Sequence, residues 1–185
     1  RSNSKINVLE EQPVLMAAKS FLRKRGYDDF VGRMIPPHLN LEAQSLYKIE
    51  FNKYIETNLN DLTYIDKLPL NLLEVPLIHQ LYPDAKFILA LRHPMDIILS
   101  CWMQNFKLNA AMANMVDLDR IVDLYCIAME TFKICRTEYD LNVHTIRYED
   151  LLEDLKGESS ALLKFLDLKW ESKMEDYRST ALKRG

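Results

Sequence analysis

The sequence predicts an α/β domain built on a parallel sheet with flanking helices, and three observations carry that prediction. Short apolar, partly β-branched runs alternate with longer stretches of helical periodicity, in the order strand, helix, strand, helix, strand, helix, strand, helix. Residues 86–91, KFILAL, form an apolar run bounded by Pro83-Asp84 before and Arg92-His93-Pro94 after, which reads as a central strand covered on both faces. Finally, 185 residues with 48% hydrophobic and 28% charged side chains suffice for one sizeable core, so a single domain over residues 1–185 is expected, with right-handed crossovers between its strands.

Taken in order, residues 4–9 are the first strand, Ile6 and Val8 alternating with polar neighbours. Glu10 and Glu11 follow at its carboxyl end. Adjacent strand residues point to opposite faces, so only one of the pair can easily enter a site there. The plain alternative is two solvated acids ahead of a helix, each favoured by its N-terminus. That helix, residues 13–25, carries Val14, Leu15, Ala18, Phe21 and Leu22 on one face and stops at Gly26.

Residues 27–40, with Gly32, Pro36 and Pro37, read as loop. Residues 41–59 read as an amphipathic helix, apolar at Leu41, Ala43, Leu46, Tyr47, Ile49, Phe51 and Ile55. Residues 63–65 are the second strand, and Asp66-Lys67-Leu68-Pro69 the loop at its end, which sets Lys67 on the same rim as Glu10 and Arg92. Against a functional lysine stands a surface ion pair with Asp66, worth at most about 1 kcal/mol. A helix over residues 70–81 then runs into the turn Tyr82-Pro83-Asp84.

At the central junction Pro94 suits a first helical turn and Asp96 complements the positive end of the helix dipole. Arg92 thus stands at the carboxyl end of a strand and beside a helix N-terminus, a good place to hold a phosphate, and Ser100, about two turns on, can add a hydroxyl from the same side. The alternative is an arginine that pairs with Asp96 and an ordinary helix serine. A long helix over residues 119–140 follows, then a strand over 142–146 that Tyr148-Glu149-Asp150 leaves. Arg147 and Glu149 alternate with Tyr148 and are expected to face away from it, pairing with solvent or each other. Residues 158–166 form the last helix, ahead of Trp170, a packing anchor.

A net charge of −3 argues against a nucleic-acid binder, so any anion site is local. Cys101, Cys126 and Cys135 form no C-x-x-C and sit in apolar helical patterns, as packed thiols of a reducing compartment do. With no N-x-[ST] acceptor, no signal peptide and no apolar run of about 18 residues, a cytoplasmic chain without a membrane segment is expected. No metal is required by these residues. Gly26, Gly32, Gly157 and Gly185 are the chain's glycines, and none belongs to a glycine-rich phosphate loop.

Arg-His-Pro-x-Asp-x-x-x-Ser after an apolar strand resembles the 3′-phosphate-binding motif of sulfotransferases that use 3′-phosphoadenosine 5′-phosphosulfate. VLEEQPVL, YIDKLPLNLLEVPLIHQLYPDAKF, VHTIRYEDLLED and the terminal ALKRG fall in that family's order, so the resemblance spans nearly the whole chain. It is most similar to the tetratricopeptide-linked and tyrosylprotein sulfotransferase branch. The resemblance implies a P-loop nucleotide hydrolase-like fold, Glu10 as general base, and Lys67 as the cation on the oxygen released from sulfur. It also implies Arg92, Ser100 and Tyr148 on the nucleotide, with Lys183 and Arg184 approaching the 3′-phosphate. A free glutamate, with a pKa of about 4.3, is a weak base, so burial or a neighbouring carboxylate such as Glu11 would have to raise it.

The family's partners would be the nucleotide sulfate donor and an acceptor, whether small molecule, glycan or protein tyrosine, its pocket built from variable loops, here residues 27–40 and 107–117. One departure is the absent G-x-P-R-S-G-T-T-like loop for the 5′-phosphosulfate. A domain incomplete at its N-terminus, and inactive or strongly impaired as this stretch alone, is therefore expected. A kinase-like nucleotide-binding domain on the related P-loop fold, and a non-catalytic interaction domain, remain the alternatives. An apolar helix face can serve either the core or a homodimer.

Overall fold

In the computed structural model, which describes residues 3–55, 62–104 and 112–176, the strands pair in two parallel couples. β1 (Ile6–Glu10) runs beside β2 (Thr63–Lys67), and β3 (Phe87–Leu91) beside β4 (Val143–Arg147). The single sheet expected from the sequence is thus represented, among the described residues, by two two-stranded sheets, each completing its own five-residue ladder. They fall in two compact units, one made of Arg1–Ala85 with Leu163–Gly185 and the other of Lys86–Leu162.

In the first unit, α1 (Leu15–Arg23) buries Leu15, Ala18 and Leu22, the spacing of one helical face, against α2 (Pro37–Asn52) and α3 (Val75–Leu81). Gly26, at φ +79°, ends α1 where a side chain would be strained, and the Tyr27 N–H returns to the Leu22 carbonyl at 3.1 Å. The loop that follows is not merely a connection, because Tyr27, Phe30 and Ile35 are buried in the same core. Gln80 fastens it: its amide donates to the Phe30 carbonyl at 2.7 Å and accepts from the Ile35 N–H at 2.8 Å.

α2 starts at Pro37, four residues earlier than its apolar pattern suggests, since proline needs no partner for an N–H in the first turn. Leu39, Ala43, Tyr47 and Phe51, spaced by four, form its inward stripe, whereas Leu41 and Ile49 are exposed. Asn40 and Gln44 donate to the Gln80 and Leu81 carbonyls at 2.6 Å each, satisfying acceptors that the end of α3 leaves open. The helix expected over residues 70–81 begins as a 3₁₀ segment (Pro69–Glu74) and becomes α-helical at Val75, because Pro76 lacks a donor and is accommodated only in a first turn. Lys19 of α1 pairs with Glu74 in a largely buried contact.

The buried Asn3 clips the start of this unit to residues far along the chain. Its amide donates to the Lys169 carbonyl at 2.9 Å while its oxygen accepts the Lys5 N–H at 2.9 Å. The Ser4 N–H donates to Glu171 at 2.9 Å, just ahead of the 3₁₀ segment Ser172–Asp176.

The second unit holds β3, β4, α4 (Pro94–Met103), a 3₁₀ segment (Met112–Val116), α5 (Leu118–Glu138) and α6 (Tyr148–Glu153). Among the described residues β3 is only partly covered: Leu89 is buried, Ala90 is exposed, and Phe87, Ile88 and Leu91 are half-buried. The apolar run outreaches the cover it receives. Asp117 caps α5, accepting the Asp119 N–H at 2.9 Å, and Ile121, Ala128, Phe132 and Cys135 form the buried stripe of that helix. Cys126 lies off that stripe and is exposed, so of the three free thiols only Cys135 is fully buried.

The chain turns helical directly after β4, a short helix absent from the sequence-based expectation. Asp154 then starts α7 (Leu155–Phe165), its carboxylate accepting the Gly157 N–H at 2.8 Å. A Cβ at Gly157 would collide with that carboxylate in its capping position, so any side chain there would displace it.

Candidate functional site

Two strand ends carry the residues singled out from the sequence, one in each unit. In the first unit the register pairs Glu10 with Lys67 at the last position of the ladder, which puts both side chains on one face of the β1–β2 pair. Lys67 is therefore the final strand residue and not part of the loop after it. Glu11 leaves the strand at φ +56°, its N–H bonded to the Lys67 carbonyl at 2.7 Å.

That left-handed turn changes the expectation that only one of the two glutamates can approach a partner. Alternation holds only while the chain stays extended. Here Glu11 swings back and meets Lys67 Nζ at 2.6 Å, with Glu10 at 3.8 Å from the same nitrogen. All three side chains are accessible, Lys67 at 41%.

Asp66 takes no part in this cluster. One residue earlier on β2, it points to the other face, where it accepts the Tyr47 hydroxyl at 3.1 Å. Burial pushes the Asp66 carboxyl above its ordinary range, and the Tyr47 bond offsets only part of that. Burial, then the nearby Asp66 charge, also pushes the Tyr47 hydroxyl up. The second oxygen of Asp66 is buried with no hydrogen-bond partner among the described residues, as is the Tyr82 hydroxyl, and the Tyr82 ring lies edge-on to Tyr47 at 5.5 Å.

In the second unit Arg92 follows β3 immediately and precedes α4, as expected. His93 is the N-cap, Pro94 the first helical residue, and Asp96 lies in the first turn. The Arg92 guanidinium pairs with Asp96 at 3.2 Å. Ser100 sits four residues beyond Asp96, one turn along the same helix face, and is half-buried. From the end of β4 the Tyr148 ring comes beneath Arg92, its centroid 5.1 Å from the guanidinium carbon, and the ring is 46% exposed. An aromatic face and a guanidinium on one rim can stack a planar group and hold an anion.

Glu149 does more than pair with solvent or Arg147. Its carboxylate accepts the His93 N–H at 2.7 Å, and Arg147 Nε stands 4.0 Å from its other oxygen. Its own backbone N–H, and then that of His93, hold the Glu149 carboxyl below the usual glutamate range. Strand alternation does not extend through residues 147–149. The chain is already helical at Tyr148, so Tyr148 and Glu149 both turn toward the β3–α4 junction. The run Tyr-Glu-Asp straight after a strand, with acids suited to a first helical turn, was the available signal.

Lys183 and Arg184 lie outside the described residues. A hollow of about 290 Å³ between β3 and α5 is lined by Leu89, Met129, Phe132, Glu130, Lys133 and Arg136, none of which was a candidate from the sequence. Among the described residues no cluster of His, Cys, Asp and Glu comes together in a metal-binding arrangement, and no helix is long and apolar enough to cross a membrane.

A family model described as the sulfotransferase family matches residues 17–172. The chain belongs to the sulfotransferase family. The matched stretch contains Lys67, Arg92, Ser100 and Tyr148 and begins after Glu10 and Glu11. An uncharacterized protein of Aquifex aeolicus (strain VF5) is 28% identical to this chain over 117 residues, 63% of its length. The match covers 15% of that relative's own length.

Proposed function

We propose that this domain transfers a sulfuryl group from 3′-phosphoadenosine 5′-phosphosulfate to a hydroxyl or amine of an acceptor, in the manner of the tetratricopeptide-linked and tyrosylprotein branch. The observation that carries the reading is Arg92 at a strand-to-helix junction, beside the exposed Tyr148 ring, in a chain of the sulfotransferase family. Arg92 and Ser100 take the 3′-phosphate, the α4 N-terminus adds its dipole, and Tyr148 stacks on the nucleotide. Lys183 and Arg184 are assigned to the same phosphate by resemblance alone.

The transfer is an in-line displacement. An acceptor oxygen or nitrogen forms a bond to sulfur while the bond from sulfur to the bridging phosphate oxygen breaks, releasing adenosine 3′,5′-bisphosphate. Glu10 takes the acceptor proton and Lys67 stabilises the charge on the departing oxygen. Glu11 makes the closer contact with Lys67, which favours it as the lysine's holder and Glu10 as the base. The sequence contains no glycine-rich run of the kind that holds the 5′-phosphosulfate, so this stretch alone is inactive or strongly impaired in the proposal.

Calorimetric titration with adenosine 3′,5′-bisphosphate on the full-length protein, with Arg92→Ala alongside, tests the reading. Binding that is lost in the variant is the expected result. A folded wild-type protein that does not bind overturns it.

A further inference from the structure

We propose that Glu149 is a positioning residue for the 3′-phosphate site, fastening the backbone of the β3–α4 junction to the end of β4 so that Arg92 is held in place; the inference rests on the nucleotide-binding reading above. The β3–β4 ladder ends at Leu91 opposite Arg147. Beyond it β4 becomes α6, so β4 offers no further strand backbone to Arg92 and His93. Pro94 has no N–H to offer. The next N–H on the side of the strand that faces β4, two residues after Leu91, is that of His93, and the Glu149 carboxylate accepts it at 2.7 Å, extending the ladder by one rung with a side chain.

Consecutive residues of α6 thus grip the junction at consecutive points. Tyr148 lies under the Arg92 side chain, and Glu149 holds the backbone one residue on. Arg147 Nε stands 4.0 Å from the other carboxylate oxygen, too far for a hydrogen bond, so the His93 N–H is the contact that matters. Without the His93 contact the arginine would have to be ordered at the moment of binding, and the anion would bear that ordering cost.

The charge of Glu149 opposes a phosphate, so any help it gives must come through the accepted hydrogen bond. That separates the inference from an electrostatic role. Glu149→Gln keeps an acceptor oxygen and removes the charge, and is expected to bind adenosine 3′,5′-bisphosphate as tightly as wild type or roughly threefold more tightly. Glu149→Ala is expected to bind it roughly tenfold more weakly. Adenosine 5′-phosphate, which lacks the 3′-phosphate, should bind all variants equally.

Calorimetry with both nucleotides on the full-length protein, after circular dichroism has established folding, reads these values. Should Glu149→Ala fail to fold, Glu149→Asp replaces it: withdrawing the acceptor by one methylene is expected to weaken the bisphosphate about threefold or more. Unchanged bisphosphate binding by Glu149→Ala or Glu149→Asp would overturn the inference, as would equal weakening of both nucleotides or a Gln variant as poor as Ala. If wild type binds no bisphosphate, the nucleotide-site reading itself falls. Wild-type binding that depends on Arg92 but not on Glu149 refutes the positioning role alone.

Discussion

Asp96→Asn should tighten binding of adenosine 3′,5′-bisphosphate while slightly lowering stability. Arg92 Nη2 is 3.2 Å from Asp96 Oδ2, and both side chains are about half exposed, at 45% and 51%. An arriving phosphate must share or displace that carboxylate. With water-like screening, unit charges at such a distance attract by on the order of 1 kcal/mol, and exposed pairs measure between about 0 and 1. Freeing the arginine and removing a like charge from the anion's approach together amount to about 1 kcal/mol, or roughly fivefold in Kd. The helix loses an acid that favoured its N-terminus, at about 0.3–1 kcal/mol of stability. The assay is paired calorimetry and thermal melting of wild type and variant at low and high salt, and the affinity gain should shrink as salt screens the charges. A variant that binds about threefold more weakly would refute the reasoning, because Asp96 would then be orienting Arg92 and not competing for it.

Lys67→Ala should lower the transfer rate roughly 10²–10³-fold, with bisphosphate affinity little changed; single-turnover transfer of labelled sulfate to a phenolic acceptor reads the rate. Its exposed pairs with Glu10 and Glu11 contribute under about 1 kcal/mol, so the melting temperature should hardly move. Asp66→Asn should stabilise the fold near neutral pH and have little effect below about pH 3. A carboxyl whose pKa is raised by folding contributes most when protonated and loses that contribution as pH rises through its folded value. Urea unfolding across that pH range, showing the two proteins equally stable throughout, would remove Asp66 as the cause. Gly157→Ala should leave stability within about 0.5 kcal/mol of wild type, because loss of the Asp154 cap, about 1 kcal/mol, offsets the similar amount that glycine-to-alanine ordinarily gains in a helix; a thermal melt showing the full gain would mean that the cap survives.

Some element ends were legible in the sequence where a chemical punctuation mark stood beside them, but Pro69 did not reveal that β2 runs on to Lys67. Arg92-His93-Pro94 located the β3–α4 junction because proline and an acid in the first turn announce a helix start, and Gly26 located the end of α1 because little else tolerates its φ. Backbone angles that no residue type announces were illegible. Glu11 in a left-handed turn reversed the expected facing of a glutamate, and the immediate helix at Tyr148 turned Glu149 from a solvated acid into a backbone acceptor. Helix faces were read too broadly on α2, where Leu41 and Ile49 fit an apolar pattern but not the stripe set by Leu39, Ala43 and Tyr47. Periodicity tolerates such errors because exposed apolar side chains are common on real surfaces.

The clip from Asn3 to Lys169 has a consequence in time. The first unit is drawn from two stretches of chain separated by the whole of the second, whereas the second is one uninterrupted stretch. As the polypeptide leaves the ribosome, β1 and β2 emerge early, yet the carbonyl and carboxylate that secure Asn3 and Ser4 are made more than 160 residues later. The first strand therefore waits, its start unsecured, through nearly the entire synthesis of the described residues, in the way that contacts distant in sequence form late. Ending the chain after Leu162 should leave the amides of Ile6–Glu10 exchanging with solvent much faster than in the intact protein, and equal protection in both would show that the strand needs no late fastening.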